Sequence, residues 1–241
     1  MGSMLLLALV LSVPPQEDPK PLAGEIAAGL QKTAKRGNFA FQGELKTEVD
    51  PDDADEEPTV CAVSGGVVPG TLMVAEIKGD KSIHELAVKR GRLAGRETWK
   101  DHPLDLVNAP CELMSLLDFE RLAVYVKDAS SVKVLPDEKI GGEECAVYDL
   151  TIPKAAIRSY HDNAETAEEE EKSVRGVDLR LRVQKSDGTV VRLEAAVRRL
   201  YKDDSQPGPG TRGLSRFRLS LKDFGTAEVA PAPGFEKLLK D

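Results

Sequence analysis

NFAFQGELKTEVD, residues 38–50, decides the fold. Its odd positions are Phe39, Phe41, Gly43, Leu45, Thr47 and Val49. Its even positions are Asn38, Ala40, Gln42, Glu44, Lys46, Glu48 and Asp50. A period of two with one apolar and one polar face is the pattern of a strand buried on one side and solvated on the other. A parallel sheet between helix layers would show continuous apolar runs instead.

The same alternation recurs along the chain. Leu72–Lys78 and Ser82–Lys89 flank Gly79-Asp80-Lys81, a short hairpin connection. Leu135–Lys139 and Cys145–Ile152 flank Gly141-Gly142. Val177, Leu179, Leu181 and Val183 alternate with Asp178, Arg180, Arg182 and Gln184, and Asp187-Gly188 follows as a hairpin turn. Val191, Leu193, Ala195 and Val197 continue on the far side, and Phe217, Leu219 and Leu221 alternate with Arg216, Arg218, Ser220 and Lys222. The pattern predicts about ten strands. Gly65-Gly66 is read as a further hairpin.

Three stretches carry a helical period. Leu22, Ile26, Leu30 and Ala34 fall four apart, which predicts a helix over 22–35 closed by Gly37. Asn108–Asp118 carries Leu113, Leu116 and Leu117 on one face behind Pro110. A helix opening at Pro153 and running to about Lys172 ends in the acidic run Glu168–Glu171. Residues 50–57 and 202–213 are read as loops.

The chain has 241 residues, 41% hydrophobic and 31% charged, with a formal net charge of −8. A chain of this size buries roughly 70% of its unfolded surface. The acidic balance excludes sequence-independent nucleic-acid binding, which rests on cations against phosphate. The apolar run Met4–Val13 has the length of a signal-peptide core and falls short of a membrane span. Val10 and Ser12 stand where a cleavage site needs small residues, although Met1-Gly2-Ser3 carries no cation. Residues 1–13 are therefore expected to be a signal peptide, 14–21 a proline-rich linker, and 22–241 a single exported domain. No cysteine follows the apolar run to take an acyl anchor. The odd count of Cys61, Cys111 and Cys145 allows one disulfide or none, and suits at least one buried thiol acting as a small hydrophobe.

Amphipathic helices and one-faced strands need each other. The expected class is α+β: a strongly curved antiparallel sheet, a half-open barrel, with helices packed on the concave face. A helix plug of that kind leaves room for apolar pockets. The order of elements, with GRLAGRETWKDHP (91–103), APCELMSLL (109–117), VKVLPDEKIGGEECAVYDLTIP (132–153), VDLRLRVQKSDGTVVRLEAAV (177–197) and LKDFGTAEVAPAPGF (221–235), resembles the bacterial lipoprotein-carrier superfamily of the LolA, LolB and LppX type. The acidic insertion and the cysteines have no counterpart in that pattern.

The resemblance implies a periplasmic carrier of lipid, or of the acyl chain of a lipoprotein. It assigns an apolar cavity to Phe39, Phe41, Leu45, Leu72, Val74, Leu86, Trp99, Leu113, Leu116 and Leu117, each of which serves equally well as plain core. The alternative is an envelope sensor or protein-interaction module on the same fold. No cofactor, metal or catalytic residue is expected, and the chain is expected to be a monomer and not an enzyme. His84, His102 and His161 lie in unrelated contexts, and no metal or nucleophile motif is present. His84 shares parity with Leu86 and points inward. Arg180, Arg182, Arg192, Arg198, Arg216 and Arg218, interleaved with Asp178, Glu194 and Asp223, read as a solvated outer face.

Overall fold

The computed structural model describes residues 19–49, 57–80, 83–89, 92–98, 109–159, 174–201 and 211–239. Helix α1 (Pro19–Ala34) opens the chain, and Gly37 follows it at φ 91°. Ten strands follow: β1 (Phe39–Val49), β2 (Thr59–Val68), β3 (Leu72–Lys78), β4 (Ile83–Lys89), β5 (Arg92–Thr98), β6 (Ser131–Ile140), β7 (Glu143–Pro153), β8 (Val174–Gln184), β9 (Val190–Tyr201) and β10 (Thr211–Lys222). Between β5 and β6 lie helices α2 (Ala109–Leu117) and α3 (Phe119–Lys127), and the chain ends with the short helix α4 (Phe235–Leu238).

All ten strands form one antiparallel sheet in the order β5-β4-β3-β2-β1-β10-β9-β8-β7-β6. It is two five-strand meanders joined where β1 pairs β10. The sheet is open, with β5 at one edge and β6 at the other. The chain must therefore travel from one edge to the other between residues 98 and 131. It does so through α2 and α3, whose apolar faces settle on the sheet.

The core is one continuous layer between sheet and helices. The strands contribute Phe39, Phe41, Leu45, Leu86, Leu179, Leu193, Phe217 and Leu219, and the helices contribute Ile26, Leu30, Leu113, Leu117, Phe119, Leu122 and Val126. Phe39 stacks on Phe119 with ring centres 5.3 Å apart, which seats α3 on the central strand. Helix α1 is tied at its C-terminal end. Thr33 Oγ1 donates to Gly29 O at 2.9 Å and accepts from the Val190 amide at 3.0 Å, and Arg36 pairs with Asp187 in the β8–β9 turn.

Several expectations are corrected. The linker ends sooner, because α1 begins at Pro19 and takes Pro19 and Pro21 into its first turn, where a missing N–H costs nothing. Pro153 is the last residue of β7, opposite Gly176, and a 3-10 helix (Lys154–Ser159) follows it; the rest of the expected helix lies outside the described residues. Gly65 and Gly66 are interior residues of β2. A Cβ on Gly65 would lie 2.1 Å from the Val74 carbonyl oxygen and 2.6 Å from the Phe41 ring, so the glycine makes room for that ring. Cys61 and Cys145 are both buried, and burial pushes the Cys145 thiol up. The expected signal peptide, most of the acidic insertion and Trp99 lie outside the residues whose side chains are described.

Candidate ligand-binding site

The apolar face of the sheet and the helices over it collect seven of the ten cavity residues named from the sequence. Phe39, Phe41, Leu45 and Leu86 project from β1 and β4, and Leu113, Leu116 and Leu117 project from α2. All are buried in the one core cluster. His84 shares this face, opposite Ile77, and is buried.

Leu72 and Val74 do not join them. In β3 the inward residues are Met73, Ala75 and Ile77. Leu72 and Val74 point to the other face, where they pack with Ala87 of β4 and with Ala232, Phe235 and Leu239 of the C-terminal tail. Both faces of β3 are covered at this end of the sheet, so alternation alone does not say which is inside. Lys89 Nζ donates to the Leu239 carbonyl oxygen at 3.3 Å and helps hold the tail there.

Helix α2 shares the core cluster through its leucines, lies against α3, and reaches β9 through an ion pair. Arg199 follows Leu193, Ala195 and Val197 on the inward parity of β9. Its Nε donates to Glu112 Oε1 at 2.6 Å, with side-chain exposures of 5% and 2%. Beside the pair lies a small apolar patch of Val174 and Val197, with Tyr125 of α3 and Val177 against it. Glu112 is in the first turn of α2, where the helix dipole favours an anion.

The opposite face carries a groove of about 540 Å³. Its floor is two rows of cross-strand neighbours. One row reads Glu44, Arg218, Glu194, Arg180, Asp149, Lys133 from β1 to β6, and its charges alternate at every step. The second reads Lys46, Arg216, Ala196, Asp178, Thr151, Ser131. At about 4.8 Å per strand the rows would span roughly 24 Å if flat. A single groove touches both ends, so the sheet is curved. A twisted sheet is saddle-shaped, so a helix layer on one face and a groove on the other are compatible.

The charges of the groove satisfy one another. Arg180 grips Asp149 with two bonds of 2.5 and 2.8 Å, and this holds the Asp149 carboxyl below the usual carboxylate range. Arg182, whose side chain is only 7% exposed, pairs with both Glu138 and Glu194 at 2.9 Å. Its hydrogen bonds lower the Glu138 carboxyl in the same way. Arg218 lies 3.5 Å from Glu194. Of the outer arginines read from the sequence as a solvated face, Arg180 is half-buried and Arg198, Arg216 and Arg218 are exposed, all facing carboxylates of their own sheet, whereas Arg182 is buried.

The chain is similar over most of its length to several solved structures. LprF from Mycobacterium bovis aligns at 15% identity over 89% of this chain and 98% of its own, with a TM-score of 0.39. Lipoprotein LppX from Mycobacterium tuberculosis aligns at 10% identity over 85% and 98%, also at 0.39. A LolA superfamily protein from Nitrosomonas europaea aligns at 13% identity over 89% and 96%, at 0.32. No protein-family model and no curated protein sequence matches the chain. Likenesses of this size assign no residue of this chain to a binding site.

Three features of the site escape a reading of the sequence. Helix α3 has a legible signal, since Phe119, Leu122, Ala123 and Val126 stand at helical spacing and Asp118 caps the helix by accepting from the Arg121 amide. Glu112 and Arg199 are 87 residues apart, and nothing local joins them. The charge row exists only once the strand registers are known. Among the described residues no group of three or more His, Cys, Asp or Glu side chains is placed to hold a metal. No described helix is long and apolar enough to cross a membrane.

Proposed function

We propose that this protein is an exported carrier of a lipid or of a lipoprotein's acyl chain, which it takes up between the apolar sheet face and helix α2. The observation that carries the reading is how α2 is attached. Among the described residues, the nine-residue α2 joins the apolar core through Leu113, Leu116 and Leu117, packs beside α3, and pairs Glu112 with Arg199 of β9. Three buried leucines contribute about 5–9 kcal/mol gross. A fourteen-carbon chain taking their place buries methylenes worth about 0.8 kcal/mol each, or roughly 11 kcal/mol before ordering costs are subtracted. The two are close in size, so α2 and an acyl chain can exchange on the same surface without either being held irreversibly. A carrier needs that balance.

Native mass spectrometry of protein purified without detergent tests this, together with uptake of a fluorescent fatty acid. Copurified lipid or saturable uptake is the expected result. Absence of both overturns the reading. The groove on the opposite face supports a second reading, an interaction module that docks a protein partner there. Under that reading uptake is absent, and loss of partner binding follows charge reversal in the groove.

A further inference from the structure

We infer that the β1–β10 end of the groove is a binding site for a zwitterionic phospho-amine: a phosphate diester and an ammonium joined by two carbons, as in a phosphoethanolamine group. The groove lies on the face away from α2, so this ligand is separate from the acyl chain.

The site begins with two arginines whose counter-charges are shared. Arg216 stands 3.7 Å from Glu48, which Lys46 holds at 2.8 Å. Arg218 stands 3.5 Å from Glu194, which Arg182 holds at 2.9 Å. A charge-assisted hydrogen bond is about 2.7–2.9 Å long. In each case the closer cation has that bond, and the arginine keeps donors for another anion. The two side chains are 53% and 70% exposed and both line the groove. Two residues apart on one face of β10, they are separated by roughly 7 Å of strand, within the reach of long side chains. Guanidinium groups match the oxygens of a phosphate. Ala196, the neighbour of Arg216 on β9, carries a single methyl group and leaves the phosphate room.

Strand register sets the place of the ammonium. Glu44 of β1 is exposed, lies directly opposite Arg218 and lines the same groove. Neighbouring strands are about 4.8 Å apart, close to the length over which two carbons separate a phosphate from an ammonium. A phosphate on Arg216 and Arg218 therefore brings the ammonium to Glu44. The alternating row also selects against ligands of one sign, because a polyanion or polycation meets a like charge at every second strand. An anion alone leaves Glu44 facing it, whereas the zwitterion matches both neighbours.

Isothermal titration of the full chain compares glycerophosphoethanolamine with glycerophosphoglycerol, which has the same phosphate diester and no ammonium. The zwitterion should bind about tenfold or more tightly, the worth of one hydrogen bond between charged groups. Glu44→Gln should remove this preference and bind glycerophosphoglycerol at least as tightly as wild type. Arg216→Gln with Arg218→Gln should abolish binding of both esters. All three side chains are exposed, so these variants keep the fold, which circular dichroism checks. Equal affinity of wild type for the two esters, a preference kept by Glu44→Gln, or no binding of the zwitterion overturns the inference and leaves the acyl-binding reading standing. Vesicles containing phosphatidylethanolamine or phosphatidylglycerol then give the source. The same preference on vesicles assigns the group to a membrane lipid, and a preference confined to the free ester assigns it to a soluble ligand.

Discussion

Charge reversal at Glu194 tests whether the alternating row stabilises the sheet register. Glu194 lies 2.9 Å from Arg182 and 3.5 Å from Arg218, and Arg180 is its neighbour on β8. A two-residue slip of β10 against β9 in one direction would set Arg218 against Arg192, so the row penalises that slip. Its side chain is 25% exposed, so each attraction is worth about 0.5–1 kcal/mol. Glu194→Gln removes three attractions and should cost about 1.5–3 kcal/mol. Glu194→Lys also adds three repulsions of similar size and should cost about 3–6 kcal/mol. At 1 M salt the screening length is about 3 Å, so most of the difference between the two variants should vanish. Urea unfolding followed by circular dichroism at 0.05 and 1 M NaCl reads this directly. A Lys variant no less stable than the Gln variant at low salt, or a gap that salt leaves unchanged, would refute the reasoning.

Two glycines should respond with opposite signs to alanine. Gly65→Ala forces a Cβ into the Val74 carbonyl and the Phe41 ring and should cost about 3 kcal/mol, whereas Gly24→Ala in α1 meets nothing within 4 Å and should gain about 0.5–1 kcal/mol in thermal or urea unfolding. Asp149 is held below its usual range by Arg180, so the unfolded chain binds its proton more tightly than the folded one. The stability from that pair is present above about pH 4 and lost as pH falls through the lowered folded value; Asp149→Asn should flatten acid unfolding in that window, and an unchanged profile would show the pair to be inert. Leu113→Ala and Leu117→Ala together should cost less than the sum of the single changes, each about 2–5 kcal/mol alone, because α2 leaves the sheet before the whole chain unfolds. Hydrogen exchange should then speed up in α2 and not in β1 or β10, whereas additive costs with uniform exchange would show that α2 is no separable unit.

The sheet was legible where one of its faces is wet. In β1, β8, β9 and β10 the polar face carries charges, so parity names most of the inner residues; at the start of β9 a register shift opposite Arg182 and Val183 puts Val190, not Val191, in the core. Parity fails in β3, where the C-terminal tail covers the second face and Leu72 and Val74 look as inward as Met73. Gly65 and Gly66 were misread for a related reason. Glycine pairs mark turns in most sequences, but here Gly65 answers to a ring that presses on it from the neighbouring strand. Helix α3 was hidden by its closeness to α2, with Asp118 alone between them. The Glu112–Arg199 pair belongs to tertiary structure entirely, since both residue types are surface residues unless something distant pairs them.

Where an acyl chain lies is the claim on which the functional account turns. Methyl NMR of the leucine-labelled chain, with a fatty acid carrying a nitroxide near its terminal carbon, measures it. The account predicts line broadening at Leu113, Leu116, Leu117 and Leu193, between α2 and the apolar sheet face, with Leu72 left sharp on the far side. Broadening at Leu72, or sharp lines throughout at saturating ligand, would contradict it.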